Sequence, residues 1–219
     1  MIKILIADDH PIIREGLKQI VSETSDIVVT GEASDAQETL DKVWRNSYDL
    51  VVLDISMPGR SGLDVLKQLK KGKTKTPVLV LSMHPEEQYA VRVLKAGASG
   101  YLTKESAPDE LISAVRKISS GGIYVSSSLA ERLAFYLEDD VKMPFHESLS
   151  DREYQVMCMI ASGKTVKGIA DELSLSVKTI STYRSRILKK MRMKSNGNET
   201  IRSITSPRHP MMVYYNLPL

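Results

Sequence analysis

Short runs of apolar residues alternate with amphipathic stretches through the first 119 positions of the chain. The apolar runs lack the polar alternation of a half-exposed strand, which predicts strands buried on both faces of a sheet. The amphipathic stretches have the period of a helix, and strands separated by helices form parallel sheets. We therefore predict a doubly wound α/β domain. Its strands are predicted at 2–7, 27–30, 50–53, 78–81 and 101–102, and its helices at 11–22, 36–45, 62–70, 86–96 and 108–118.

The pattern changes after position 119. Residues 120–148 contain a Ser-Ser-Gly-Gly break, a short helical period at 129–137 and a polar stretch with Pro144, which together predict a linker with a short helix. From 149 onward only helical periods remain. A first helix begins after Ser150 and ends before Gly163, a second covers 166–173, and a third covers 177–191. We expect the third helix to bury Val177, Ile180, Tyr183, Ile187 and Met191.

Charge is distributed unevenly between the two parts. The chain as a whole carries +3. Residues 1–150 hold 18 Lys/Arg and 22 Asp/Glu, a net of −4, whereas residues 151–219 hold 12 and 5, a net of +7. Between 178 and 194 there are seven Lys/Arg and no acidic residue. A small helical domain with a basic helix after a short turn is typical of a helix-turn-helix that meets DNA.

A single cysteine, Cys158, excludes an intramolecular disulfide and a cysteine-rich zinc site. It lies in an apolar run, where we interpret it as a small core residue. The apolar start of the chain reaches Asp8 too soon for a signal peptide or a membrane span, so we expect a cytoplasmic protein that makes no contact with a membrane.

Acidic and polar side chains follow the predicted strands of the first domain. Asp8 and Asp9 follow the first strand, Asp54 the third, Ser82 the fourth and Lys104 the fifth. Sites in parallel sheets form at the carboxyl ends of the strands, so we expect these groups to converge. Carboxylates that share one crevice need a cation, and an all-oxygen set suits Mg²⁺. The lysine supplies positive charge for an anionic ligand such as phosphate.

These residues resemble the receiver domain of bacterial two-component response regulators. The resemblance covers residues 2–119 and is carried by Asp8-Asp9, by Asp54 to Pro58 with Gly62, by Ser82 and by Tyr101 to Lys104. It implies a flavodoxin-like sheet of order 2-1-3-4-5. It also implies the site: Asp54 as phosphoacceptor, a Mg²⁺ held by Asp8, Asp9, Asp54 and the backbone carbonyl of Ser56, Lys104 and Ser82 on the phosphoryl oxygens, and Tyr101 as a switch that turns inward as Ser82 moves.

Several of these residues have simpler interpretations. Asp8 could serve chiefly as a hydrogen-bond partner behind the metal, and Asp9 is the stronger candidate for a direct ligand. Tyr101 could be an ordinary core tyrosine. His10 could act as a base, but beside Pro11 we interpret it as the start of the first helix.

The segment 149–194 resembles the LuxR-type output domain, which together with such a receiver defines the NarL/FixJ-type regulators. Its matching residues include Arg152-Glu153, Gly163, Ile169-Ala170, Thr179-Ile180 and Tyr183. The resemblance implies that Ser181, Thr182 and Ser185 face base edges and that Lys178, Arg184 and Lys189 meet phosphates. Residues 195–219 depart from the family, because the apolar stripe of its last helix is lost and prolines follow. This atypical tail leaves disorder and homodimer formation open.

The hypothesis that follows is a regulator of transcription and not an enzyme. A histidine kinase would phosphorylate Asp54 in a Mg²⁺-dependent step, and this would control the binding of double-stranded DNA. One rival is a phosphatase with an aspartate nucleophile, but such enzymes place a second Asp where Ser56 stands. Another rival is a signalling adaptor whose output domain does not bind DNA. Hydride transfer is excluded by the lack of a glycine-rich loop after the first strand.

Overall fold

The computed structural model describes residues 1–57, 62–72, 75–127, 129–131 and 149–191, apart from the side chains of residues 87 and 88. The chain divides into two compact units, Met1–Leu133 and Ala134–Leu219. Among the described residues, no helix combines the length and the apolar character needed to cross a membrane.

The first unit is built on a parallel sheet of five strands. They are β1 (Ile2–Ala7), β2 (Ile27–Ala33), β3 (Leu50–Asp54), β4 (Val78–Ser82) and β5 (Gly100–Thr103). Their order is β2-β1-β3-β4-β5, which confirms the predicted topology. β2 extends three residues beyond its predicted end, and the register between β1 and β2 shifts at Ile4/Leu5. The added residues, Gly31, Glu32 and the buried Ala33, form no apolar run, which is why the sequence did not show this end of the strand.

Five helices cover the sheet: α1 (Pro11–Ser22), α2 (Ala36–Arg45), α3 (Gly62–Lys71), α4 (Glu86–Lys95) and α5 (Ala107–Ser119). Alternate residues of a strand point to opposite faces, yet Ile4, Leu5 and Ile6 are all buried. Both faces of the sheet are therefore covered, as predicted. The face with Ile4 and Ile6 packs against the apolar sides of α1 and α5.

The chain after α5 returns to the edge of the sheet. Tyr124 forms a parallel bridge to Gly100, and its hydroxyl donates to Glu110 over 2.9 Å. Ser126 forms a short hydrogen bond with Glu86 at the start of α4, and its hydroxyl accepts the amide of Leu129 over 3.1 Å. Helical backbone is present at 127 and 129–131, where the predicted short helix begins. The remainder of that helix and of the linker lies outside the described residues.

The second unit contains three helices in its described part: α6 (Asp151–Ala161), α7 (Val166–Glu172) and α8 (Val177–Lys190). α8 packs against both α6 and α7. Each helix begins at a hydroxyl cap, namely Ser150, Thr165 and Ser176, and Ser150 forms the predicted capping box with Glu153. The tail 195–219 lies outside the described residues.

One part of the predicted core of α8 is wrong. Ile180, Ile187 and Met191 are buried, but Val177 is 50% exposed and Tyr183 is only partly buried. Val177 is the first residue of the helix, and the side that faces α6 and α7 begins one turn later at Ile180.

Candidate functional site

The strand order places an acidic cluster at the carboxyl ends of the central strands β1 and β3. From β1 the sheet continues to β2 on one side and to β3, β4 and β5 on the other, and a crevice opens beyond the strand ends at this switch point. Asp8 follows β1 and Asp54 ends β3. One ligand atom from each of Asp8, Asp9, His10 and Asp54 lies within 4.8 Å of the others. The structure thus brings together the three carboxylates that the sequence singled out.

Lys104 enters this cluster from the end of β5. Its Nζ lies 3.0 Å from Asp54 Oδ2 and 2.6 Å from Asp8 Oδ2, and all three side chains are buried. Its backbone amide donates to the carbonyl of Ser82 over 2.8 Å, which holds the end of β5 beside the end of β4. A single ammonium therefore bridges two carboxylates in a crevice that is largely shielded from water.

Burial and neighbouring charge shift the pKa of both partners in this cluster. Burial raises the pKa of Asp54 above its ordinary value, and the charge of Asp8 acts in the same direction against the attraction of Lys104. Burial lowers the pKa of Lys104, but the charges of Asp54 and Asp8 outweigh it and hold that pKa above its ordinary value. The crevice therefore favours the charged form of Lys104 and disfavours the charged form of Asp54.

The carboxylate of Asp54 is held in a fixed orientation. Its Oδ1 accepts the amide of Ser56 over 3.0 Å, while Oδ2 faces Lys104. The backbone of Gly62 lies very close to that of Asp54. A Cβ added at Gly62 would be only 2.1 Å from the carbonyl oxygen of Asp54. Only glycine permits this approach, which explains why Gly62 belongs to the motif.

Two residues contact the cluster although the sequence assigned them no role in it: His10, which begins α1 as interpreted, and Arg14. His10 Nδ1 lies 3.2 Å from Asp8 Oδ1 and 3.1 Å from Asp9 Oδ1. Arg14 donates through a guanidinium nitrogen to the carbonyl of Asp8 over 2.7 Å and pairs with Glu32. The sequence did contain a signal for Arg14. A cation near a helix N-terminus is unfavourable for the helix dipole, which indicates that the side chain binds a group outside its own helix.

The donors of this cluster fit a magnesium ion. Within the described residues, the buried oxygens Asp8 Oδ2 and Asp9 Oδ1 accept no hydrogen bond of acceptable geometry, although a nitrogen lies near each. Mg²⁺ takes a few carboxylates and completes its octahedron with water. The partly exposed Asp9 provides the open side that such waters need.

Ser82 and Tyr101 both connect to the loop after β4. The hydroxyl oxygen of Ser82 accepts the amide of His84 over 3.0 Å. The Tyr101 hydroxyl donates to the carbonyl of His84 over 2.8 Å, and its side chain is buried. His84 thus joins the two residues, and the expected turn of Tyr101 with Ser82 stays a prediction.

The basic helix α8 shows one polar face. Lys178, Ser181, Thr182, Ser185 and Lys189 are exposed and recur at spacings of three and four, which place them on one side of the helix. Arg184 lies beside this face and is partly buried. The opposite side carries Ile180 and Ile187 into the core.

One lysine of the basic run is used inside the domain. Lys190 Nζ lies 2.6 Å from Glu153 Oε2, and Glu153 is buried although it is charged. Burial raises the pKa of Glu153, but its hydrogen bonds from Lys190 and Ser150 prevail and hold it below the ordinary value. The capping carboxylate of α6 thereby fixes the far end of α8.

Comparison with known proteins decides the family. The receiver domain of response regulators matches residues 4–116, and the luxR family of bacterial regulatory proteins matches residues 147–201. The chain belongs to the LuxR-type response regulators. It is a DNA-binding regulator of a two-component system and not an enzyme, which excludes the phosphatase and the adaptor without DNA binding.

Similar response regulators align over most of the chain. It is 37% identical to the response regulator UvrY of Escherichia coli K12 over 87% of this chain and 88% of UvrY. It is 33% identical to the response regulator GacA of Pseudomonas aeruginosa over 97% and 98%. Among solved structures, RcsB of Salmonella enterica, bound to the promoter rprA with the phosphomimetic BeF₃⁻, has a TM-score of 0.62 over 99% of both chains. At 24% identity it shows the fold alone.

Proposed function

We propose that Asp54 is the phosphoacceptor of this response regulator and that a cognate histidine kinase supplies the phosphoryl group. The observation that carries this assignment is the contact of Lys104 with both Asp54 and Asp8 in a buried crevice at the reversal of the strand order. A carboxylate oxygen of Asp54 attacks phosphorus while the bond from phosphorus to the imidazole nitrogen of the kinase breaks. The other ring nitrogen of that histidine carries a proton, so the imidazole leaves as a neutral group.

Transfer of this kind depends on positioning and on neutralised charge. Ser56 and Lys104 hold the two oxygens of Asp54, so the nucleophile meets phosphorus without rotating. Lys104 can follow the incoming phosphoryl oxygens, because it already contacts Asp54. Asp8, Asp9, Asp54 and the carbonyl of Ser56 would hold Mg²⁺, which supplies charge neutralisation for the phosphoryl oxygens.

The loop after β4 is proposed to report the phosphorylation. A phosphoryl group on Asp54 offers new acceptor oxygens at the end of the neighbouring strand, where Ser82 can donate its hydroxyl to one of them. Ser82 can still accept the amide of His84 while it donates, so a shift of Ser82 towards the phosphoryl group would draw this loop with it. Tyr101 would be the switch that turns with Ser82, and the bond from its hydroxyl to the carbonyl of His84 ties it to this loop.

The second unit is proposed to read DNA through α8. Ser181, Thr182 and Ser185 would face base edges, while Lys178, Arg184 and Lys189 would meet phosphates, which position the helix. RcsB, which has this fold, is bound to promoter DNA in its solved structure.

The proposed organisation follows from these roles. Residues 1–119 form the receiver, 120–148 the linker with a short helix, 149–194 the DNA-binding domain and 195–219 the atypical tail. The unphosphorylated receiver would restrain DNA binding. Cys158 is free and buried, in keeping with a reducing cytoplasm. Measurement of mass in solution, with and without phosphorylation, tests for a homodimer.

Replacement of Asp54 tests the phosphoacceptor. Asp54→Asn keeps the shape of the side chain but removes the nucleophile, so we expect no labelling by a small-molecule phosphodonor in the presence of Mg²⁺. Mass spectrometry of the intact protein measures the added phosphoryl group. Asp41→Asn, on the distant helix α2, is the matched control and should label as the natural protein does. Persistent labelling of the Asp54→Asn protein would refute the assignment.

A further inference from the structure

Two hydroxyl groups on the exposed face of α8 donate hydrogen bonds to their own helix. Thr182 Oγ1 donates to the carbonyl of Lys178 over 2.9 Å, and Ser185 Oγ donates to the carbonyl of Ser181 over 3.1 Å. The neighbouring hydroxyl of Ser181 makes no such bond within the described part of the chain. All three residues are exposed on the face proposed to meet DNA.

These internal bonds determine what each hydroxyl can offer to a ligand. A hydroxyl has one donor hydrogen and two acceptor lone pairs. In Thr182 and Ser185 the hydrogen points back at the helix, so only lone pairs face outward. Donation to a ligand would require the internal bond to break, which disfavours that mode by about fivefold. Serine and threonine side chains in helices commonly donate in this way to the carbonyl four residues earlier.

Acceptor-only hydroxyls fit a limited set of DNA groups. Phosphate oxygens are acceptors, so these two hydroxyls do not match the backbone. In the major groove the donors are the amino group at N6 of adenine and the amino group at N4 of cytosine, whereas guanine and thymine present acceptors. Lone pairs that face outward therefore match adenine or cytosine.

We infer that Thr182 and Ser185 read DNA as hydrogen-bond acceptors and select the exocyclic amino groups of adenine or cytosine. This inference rests on the proposed function, in which α8 meets base edges. Ser181 carries no such restriction, because its hydroxyl can rotate to donate or to accept. The polarity of two readout positions is thus set before DNA is bound.

A double substitution, in protein and in DNA, tests this polarity. The full-length protein first selects a preferred duplex from random sequences. Adenines in that duplex are then replaced by purine, which lacks the N6 amino group, and cytosines by 2-pyrimidinone, which lacks the N4 amino group. At the positions read by Thr182 and Ser185, loss of the amino group should weaken binding by the natural protein about tenfold.

The protein variants are Thr182→Val, which keeps the branched shape, and Ser185→Ala. The matched control is Ser162→Ala at the end of α6, which removes an exposed hydroxyl that also donates four residues back along its helix. Each of the first two should bind the natural duplex about tenfold more weakly and should be indifferent to loss of one particular amino group. Circular dichroism confirms that α8 remains folded in each variant. Fluorescence anisotropy at fixed salt measures the affinities.

The outcomes separate the inference from the proposed function. If neither Thr182→Val nor Ser185→Ala changes affinity or sequence selection, these side chains do not contact bases and the proposed interface fails. If they lose affinity but their effect couples to 7-deazaguanine or to another base that lacks an acceptor, base contact stands and the acceptor polarity is overturned. Coupling to an amino group supports both.

Discussion

At the scale of single residues, the crevice holds Asp8, Asp54 and Lys104 in one buried space. One ammonium cannot neutralise two carboxylates, so the cluster carries an excess of negative charge before any cation binds. This excess negative charge attracts Mg²⁺, which in turn neutralises a phosphoryl group, but it destabilises the metal-free receiver. Function and stability are therefore opposed at this site.

Removal of one carboxylate should stabilise the metal-free protein. The pKa of Asp54 is raised in the folded state, so its ionised form costs stability, and this cost appears as pH rises above the ordinary range of an aspartate, about 4. In EDTA at pH 7 we expect Asp54→Asn to raise the free energy of unfolding by an amount on the order of 1 kcal/mol, and the melting temperature with it. The gain should shrink as pH falls towards 4. Thermal unfolding at several pH values measures it.

Magnesium provides the internal control for this prediction. Mg²⁺ binds the natural cluster and stabilises it by mass action, so the melting temperature of the natural protein should rise with Mg²⁺ more than that of Asp54→Asn. If Asp54→Asn is instead less stable than the natural protein in EDTA, the attraction between Lys104 and Asp54 outweighs the cost of burying the ionised Asp54 beside Asp8.

Residues that bear charge at strand ends were predictable, but their supporting contacts were not. A strand's position fixes where the following side chain lies, so Asp8, Asp54 and Lys104 could be placed together from the sequence. Arg14 reaches Asp8 through a long side chain from the side of a helix. Its endpoint depends on packing among α1, β1 and β2, which a helical period does not encode.

At the scale of elements, the basic residues of α8 serve two different purposes: some face outward and one pairs with a neighbouring helix. Lys189 and Lys190 are both exposed, but Lys190 also pairs with the buried Glu153 of α6. The sequence counted both in one basic run, because charge patterning does not distinguish a cation that faces solvent from one that faces a partner helix. The structure separates them, and their substitution should have different consequences.

Lys189→Gln and Lys190→Gln form a matched pair. Each phosphate contact releases counterions, so Lys189→Gln should reduce the slope of log affinity against log salt by about 0.9. Lys190→Gln should leave that slope unchanged but lower the free energy of unfolding of the second unit by about 1 kcal/mol, since Glu153 loses a charged partner. Equal slopes for both variants would mean that Lys189 does not meet a phosphate.

The turn between α7 and α8 contains a strained position. Ser174 has φ of +53°, the only positive φ at a non-glycine residue in the described part of the chain. This conformation costs an L-residue about 1–2 kcal/mol, and glycine adopts it freely at some cost in entropy. We expect Ser174→Gly to raise the free energy of unfolding by about 0.5–1 kcal/mol. Denaturant unfolding measures the change.

Ser176, in the same turn, provides the contrast. Its backbone is extended and its hydroxyl accepts the amide of Thr179 over 3.0 Å, which caps α8. Ser176→Ala should therefore destabilise by about 1 kcal/mol. If both substitutions in this turn destabilise, the positive φ of Ser174 is not a source of strain.

At the scale of the whole molecule, charge is divided between the two parts of the chain. Residues 1–150 carry a net of −4 and residues 151–219 a net of +7. The front part could therefore weaken DNA binding in two ways, through repulsion of the phosphates or through restraint of the DNA-binding helix. These two effects respond differently to salt, because repulsion between exposed charges is screened within a Debye length of about 10 Å at 0.1 M salt.

Comparison of residues 144–219 with the full-length protein separates the two effects. We expect the fragment to bind DNA more tightly than the unphosphorylated full-length protein, and phosphorylation of Asp54 to close most of this gap. If the ratio of the two affinities stays constant between about 0.05 and 0.3 M salt, the receiver acts by restraint. A ratio that falls towards one as salt rises would assign the gap to repulsion. Weaker binding by the fragment would refute inhibition by the receiver, because the second unit would then depend on the first for its affinity.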